Sequence, residues 1–221
     1  EVAMKGPLDI HQFLLAHDVH HEIVRLPRSA ATAATLAEAL GLPPRRCVAV
    51  HPFHAITATG DVLVLVLAPS DAVLGDDTVR ASQLAKLLRG RLGAGVTFEP
   101  ARPGLVNSHT DYLAGHLAPL LLPPDVIVVA LQSLVDLAAS VVYTPTGDAG
   151  TALGLRALDL LVLTRAMVLP DHAGTRARRR PVKIDLAAPE PLADAATPID
   201  YRAKAARTTN RGLAASTPVA S

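Results

Sequence analysis

Through the first 170 residues, short β-branched and aliphatic runs bounded by glycine and proline alternate irregularly with three or four segments of helical spacing. That irregularity excludes a chain of βαβ repeats and points to an α+β domain with a mixed, largely antiparallel central sheet flanked by helices. Leu8, Ile10, Phe13, Leu14 and Leu15 mark an amphipathic helix, and residues 20 to 27 alternate around Ile23, Val24 and Leu26 as a strand. Ser29 or Thr32 caps a second helix that carries Leu36 and Leu40 and stops at Gly41, where Pro43 and Pro44 prevent continuation. Strands over 47 to 50 and 61 to 67 form a hairpin through a Thr-Gly-Asp turn at 59 to 61. A helix over 81 to 88, a strand near 96 to 99, a loop, and strands over 126 to 131, 140 to 144 and 152 to 155 complete the reading.

The core of such a domain must be aliphatic, because half of the chain is hydrophobic while it holds no Trp, three Phe and three Tyr. Its single cysteine, Cys47, cannot form an intramolecular disulfide and reads as a small buried hydrophobe within a valine-rich strand. The longest apolar stretch, around 112 to 135, is broken by Pro119, Pro123, Pro124 and Asp125, short of the roughly 20 residues a membrane helix needs. With no targeting pattern at the start, a soluble, cytoplasmic protein is expected.

After Pro170 the apolar periodicity dissolves into Ala, Pro, Thr, Arg and Ser, a composition that cannot bury enough surface to offset the entropy of ordering. The expected organisation is an N-terminal extension over 1–7, a domain over 8–170 and a disordered basic tail over 171–221. Residues 1–170 carry 12 Lys and Arg against 15 Asp and Glu, and 171–221 carry 9 against 5. A mildly acidic body argues against a broad footprint on duplex nucleic acid, so any RNA contact must be local or made by the tail. Arg176 and Arg178 to Arg180 form a basic cluster there, read as a solvated tail or as a contact for RNA or another anion.

His17, His20, His21, His51 and His54 invite a metal reading, yet no HExxH or Cys-His array accompanies them, and no metal is expected. Neither a nucleophile elbow nor a phosphate-cradling glycine loop is present.

Three stretches in order carry a resemblance. The first is the helix ending Ala-Leu-Gly-Leu-Pro-Pro at 39 to 44; the second is Asp-Tyr-Leu-Ala-Gly-His-Leu-Ala-Pro at 111 to 119, with Gly115 and Pro119 in Gly-x-x-x-Pro spacing; the third is Val-Val-Tyr-Thr-Pro-Thr-Gly-Asp-Ala-Gly-Thr-Ala-Leu at 141 to 153, followed by Asp159, Leu160 and Leu161. Over roughly residues 8 to 165 this order is similar to the YbaK family, also called the prolyl-tRNA synthetase-associated editing domain. The resemblance implies hydrolysis of mischarged aminoacyl-tRNA without a metal or organic cofactor. Its implied partners are aminoacyl-tRNA and, as a further option, a synthetase. It also implies a substrate loop of Gly115, His116, Leu117, Ala118 and Pro119 and a final helix around 159 to 163. Physically, such a loop suits ester cleavage: glycine permits close approach, proline fixes its own φ, and the intervening amides can face a developing oxyanion. A second check is needed because one methylene changes synthetase binding by only about 1–3 kcal/mol.

The chain departs from the family at the lysine usually carried by the strand after the Leu-Pro-Pro turn. Ala49 falls at that position, or Arg46 in an alternative register, and no lysine occurs between Lys5 and Lys86. Lys86 reads as a solvated helix residue. A guanidinium does not reproduce a compact ammonium. Three outcomes follow: catalysis by backbone and substrate groups, catalysis by a relocated side chain such as His51 or His54, or binding without turnover. A protein that inherits the fold for a structural or regulatory role is the remaining alternative.

Overall fold

Helix α1 (Pro7–Ala16) starts where Pro7 follows Gly6, whose amide donates to Asp9 Oδ2 at 2.8 Å, and it buries Ile10 and Leu14. The computed structural model describes residues 4–30, 32–72 and 77–171, so the expected tail, apart from Asp171, lies outside the described residues. Strand β1 (His21–Arg25) follows, then α2 (Ala33–Leu40). Thr32, rather than Ser29, caps α2: its Oγ1 accepts from the Thr35 amide at 3.2 Å while its own amide donates to Thr35 Oγ1 at 3.0 Å. Gly41 ends the helix in the left-handed region, at φ 66.

Strands β2 (Val48–Thr57) and β3 (Gly60–Pro69) pair from Val48–Pro69 to Thr57–Gly60. The strand expected to stop at Val50 therefore runs on to Thr57, and the turn is Ala58–Thr59 rather than 59 to 61. Pro52 is tolerated because a strand residue points its nitrogen and carbonyl to the same side. The Pro52 carbonyl accepts from the Ala101 amide at 2.9 Å, beyond the end of the ladder that joins residues 53 to 56 to the next strand. His51 and His54 are consequently inside β2 rather than after it.

Helix α3 (Asp77–Leu92) and β4 (Thr97–Pro100) come next. Where a loop was expected, α4 (Pro103–Thr110) forms despite Gly104, Asn107 and Ser108: Pro103 sits at its first turn and Val106 and Thr110 are buried. A 3-10 turn (Ala114–His116) leads to β5 (Ile127–Leu131), a single turn α5 (Gln132–Val135), β6 (Val141–Pro145), β7 (Thr151–Arg156), α6 (Ala157–Thr164) and β8 (Met167–Leu169). Sequence periodicity gave no sign of α5 or β8, which are four and three residues long.

The strands make a three-stranded sheet, β1-β7-β6, and a five-stranded sheet, β4-β2-β3-β5-β8. Every pairing is antiparallel except β3 with β5 and β5 with β8, so the mixed, largely antiparallel α+β architecture is present. A parallel bridge between Cys47 and Tyr143 links the two sheets. Alternation along the strands sorts the apolar side chains. Leu63, Leu65 and Leu67 face inward with Val128, Val142, Leu153, Ile10 and Leu160. Val64, Val66 and Val129 face outward beneath Leu84 and Leu88 of α3, while Val24, Tyr143 and Ala152 lie beneath α2. Each fully buried leucine contributes about 1.5–3 kcal/mol, so the aliphatic core suffices without tryptophan. Among the described residues no helix is long and apolar enough to cross a membrane.

Candidate functional site

The Gly115–Pro119 stretch is held from both ends by bonds that its own sequence does not announce. Upstream, the Ala114 amide donates to Asn107 Oδ1 at 2.9 Å, so the unexpected helix α4 sets the position of the loop. Downstream, the hydroxyl of fully buried Tyr112 donates to the Leu120 carbonyl at 3.0 Å. Burial pushes the Tyr112 phenol well above its usual range, which keeps it a neutral donor. In the middle, the His116 carbonyl accepts from the Gly147 amide at 2.9 Å.

Within the loop, Gly115 is exposed and a Cβ added there would meet nothing within 4 Å, so open space lies in front of it. The His116 amide is engaged by the Leu113 carbonyl at 2.8 Å and is not available to a ligand. The Leu117 amide closes the 3-10 turn toward the Ala114 carbonyl, whereas the amide of fully buried Ala118 has no acceptor among the described residues. Pro119 closes the stretch, also buried.

Lys5 is the lysine that the chain brings to this region, and no motif pointed to it. Its amide donates to the Asp111 carbonyl at 3.0 Å, and its ammonium reaches the Thr110 carbonyl at 3.0 Å and Asp111 Oδ2 at 3.3 Å, 5.7 Å from the centre of the Tyr112 ring. With those partners Lys5 braces the backbone ahead of the loop. Gly147 completes the brace: at φ 89, a Cβ there would fall 2.4 Å from the Lys5 carbonyl oxygen. The glycine before Asp148, inside the 141 to 153 stretch, is the one sequence signal of this brace.

The β2 positions divide between two faces. Val48 and Val50 pack in the inner cluster that also holds Leu117 and Ala118, whereas Ala49, half-buried, packs with Cys47 and Tyr143 in the cluster beneath α2. Strand alternation puts His51 on the Ala49 side. Because the Cys47–Tyr143 bridge is parallel, β2 beyond Cys47 and β6 beyond Tyr143 run the same way, and the β6–β7 turn carries Gly147 to the His116 carbonyl. Arg46 is turned elsewhere, its Nε donating to the Val141 carbonyl at 2.5 Å. His54 lies between Asp61 and Glu99, 3.0 and 3.3 Å away, with the Asp61 contact close enough for an ion pair but poorly aligned as a hydrogen bond. Burial pushes the Cys47 thiol up to about 12, which removes it as a nucleophile near neutrality. His17 points a nitrogen at the Phe13 carbonyl and His21 meets His11 at 2.9 Å, so the 17–21 histidines do not converge.

A hollow of about 510 Å³ reaches the loop at Pro119.

No family model and no curated protein matches the chain. Solved structures do. A hypothetical protein, APE2540, is 22% identical, with a TM-score of 0.58 over 73% of this chain and 97% of that one. A candidate trans-editing enzyme for prolyl tRNA synthetase is also 22% identical, with a TM-score of 0.54 over 70% of this chain and 88% of that one. A scaffold protein from computational epitope grafting matches at 20% identity and a TM-score of 0.59, over 75% and 96%. Together they define the class by fold alone: a mixed α+β domain similar to a YbaK-like editing domain.

Proposed function

We propose that this chain is a trans-acting editing deacylase, which hydrolyses the ester of a mischarged tRNA in the cytosol and releases a small amino acid. The observation that carries the reading is the Ala118 amide, which has no acceptor among the described residues, on a loop braced at three points. A buried donor without an acceptor costs about 1–3 kcal/mol, and a carbonyl or oxyanion is an acceptor that such an amide suits. One structural relative is named for trans-editing with prolyl tRNA synthetase, which supports aminoacyl-tRNA as the substrate class and a synthetase as a neighbour in the reaction.

In this reading Gly115, Leu117, Ala118 and Pro119 seat the aminoacyl group, with His116 fixing the loop through its carbonyl. Ala49 stands at the position of the family lysine, since the alternative, Arg46, is committed to the Val141 carbonyl. His51 is proposed as the base, acting from the Ala49 face of β2, opposite the face packed against Leu117 and Ala118. The second reading is a non-catalytic protein of the same fold that binds aminoacyl-tRNA, a synthetase or a small ligand. The methyl group of Ala49, where the family carries a lysine, favours it.

A deacylation assay over a panel of mischarged tRNAs separates the two. The wild type should release a small amino acid from at least one, Gly115→Val should lower that rate at least 10-fold with unchanged unfolding because its side chain enters open space, and Ala49→Lys should not lower it. Retention of tRNA by the wild type without release from any member of the panel replaces deacylation by the binding reading.

A further inference from the structure

The 510 Å³ hollow beside Pro119 has a chemistry of its own. Its lining combines the apolar side chains of Phe13, Leu120, Leu122, Val128 and Leu163 with the polar ones of His17, Arg91 and Arg165. The size falls in the range of small-molecule sites, roughly 300–1,000 Å³. None of its lining residues bears a carboxylate, and Asp18 and Asp125, next in sequence to the wall, do not line it. Arg28 and Arg156 are paired with Glu38 and Asp159, but Arg91 and Arg165 are exposed and have no partner among the described residues.

Helix ends offer the competing account of these cations. Arg91 lies in the last turn of α3, Arg165 follows α6 and His17 follows α1, where a positive group offsets the carbonyl end of the dipole. That account is incomplete, because part of the terminal carbonyls at each end already have donors. The His17 and Val19 amides serve the end of α1, the Gly93 amide donates to the Arg89 carbonyl of α3, and the Arg165 and Ala166 amides serve α6. Two guanidiniums are therefore left in excess around one hollow of mixed lining. Its wall also contains Leu121 at φ 55, a left-handed leucine that caps no helix, and backbone strain of that kind gathers at ligand sites.

We propose that this hollow binds a small amphipathic anion, an alkyl carboxylate being the simplest, with its chain on the leucine side chains and its charged end between Arg91 and Arg165. The proposal is independent of the editing chemistry, and its test needs no tRNA.

The probe is decanoate, titrated calorimetrically below its micellar range into the full chain, with decanol and decyltrimethylammonium as neutral and cationic controls. Saturable binding of decanoate is expected, at least 10-fold tighter than either control. The double variant Arg91→Gln/Arg165→Gln, altered at two exposed positions, should bind at least 10-fold more weakly with an unchanged thermal midpoint. Leu163→Trp, which narrows the hollow, should abolish binding. Absence of saturable decanoate binding by the wild type overturns the proposal. So does equal affinity for the cation, or an arginine variant that binds as well as the wild type.

Discussion

The β2–β3 hairpin and the segment from Thr110 to Leu120 are each about ten residues deep, yet they are held by opposite means. The hairpin has a continuous ladder with Leu63, Leu65 and Leu67 on one face and Val64 and Val66 on the other, all buried. The loop segment buries Tyr112, Leu117, Ala118 and Leu120 in the same inner cluster, but it has no ladder, and separate bonds to Asn107, Gly147 and Lys5 fix its backbone. Distributed contacts tolerate the loss of one bond, whereas isolated ones do not. The comparison teaches that a continuous ladder and a set of single bonds fix two backbones over one shared core.

The largest effect should come from the scaffold. Leu65→Ala removes a fully buried side chain and should cost about 2–5 kcal/mol in urea unfolding, with both regions melting together. Separate melting of the loop segment would break the picture of one cooperative unit. Gly147→Val places a side chain against the Lys5 carbonyl at a positive φ and should cost about 3 kcal/mol, with increased amide exchange concentrated around His116.

Tyr112→Phe leaves the Leu120 carbonyl without its donor and should cost about 1–2 kcal/mol. The hairpin side has a pH signature. The folded state keeps the Cys47 proton up to about 12 while the unfolded chain releases it near 8.5, so the folded state binds the extra proton between those values. Stability from this group is therefore full below about pH 8.5 and falls above it by at most about 1.4 kcal/mol per pH unit, a slope that Cys47→Ala should remove in pH-dependent unfolding. The smallest change is Lys5→Met. Its ion pair with partly exposed Asp111 is screened, and the loss should be about 0.5–1 kcal/mol, restored in part by Lys5→Arg.

What could be seen in the sequence follows from the same division. β1, α2 with its Gly41 stop, β3 and β5 announce themselves through apolar period and caps, because burial imposes a pattern on neighbouring residues. The β2 strand expected over 47 to 50 stops short of Thr57, because the β-branched run ends at Val50 and nothing local reveals that Pro52 sits beyond the end of the neighbouring ladder. The Gly115–Pro119 spacing was visible, but its supports were not. Asn107 sits in a helix of poor helix formers, and Lys5 acts across 105 residues on Thr110. A bond between distant single residues leaves no periodic trace.

The order of strands has a consequence for synthesis on the ribosome. β1 finds its neighbour only at Thr151–Arg156, and β3 acquires its parallel neighbour only at Ile127–Leu131, so the hairpin emerges with an apolar edge exposed for nearly 60 residues of further elongation. Nascent chains arrested before Ile127 should thus be sticky, and holdase chaperones should retain them until β5 is made.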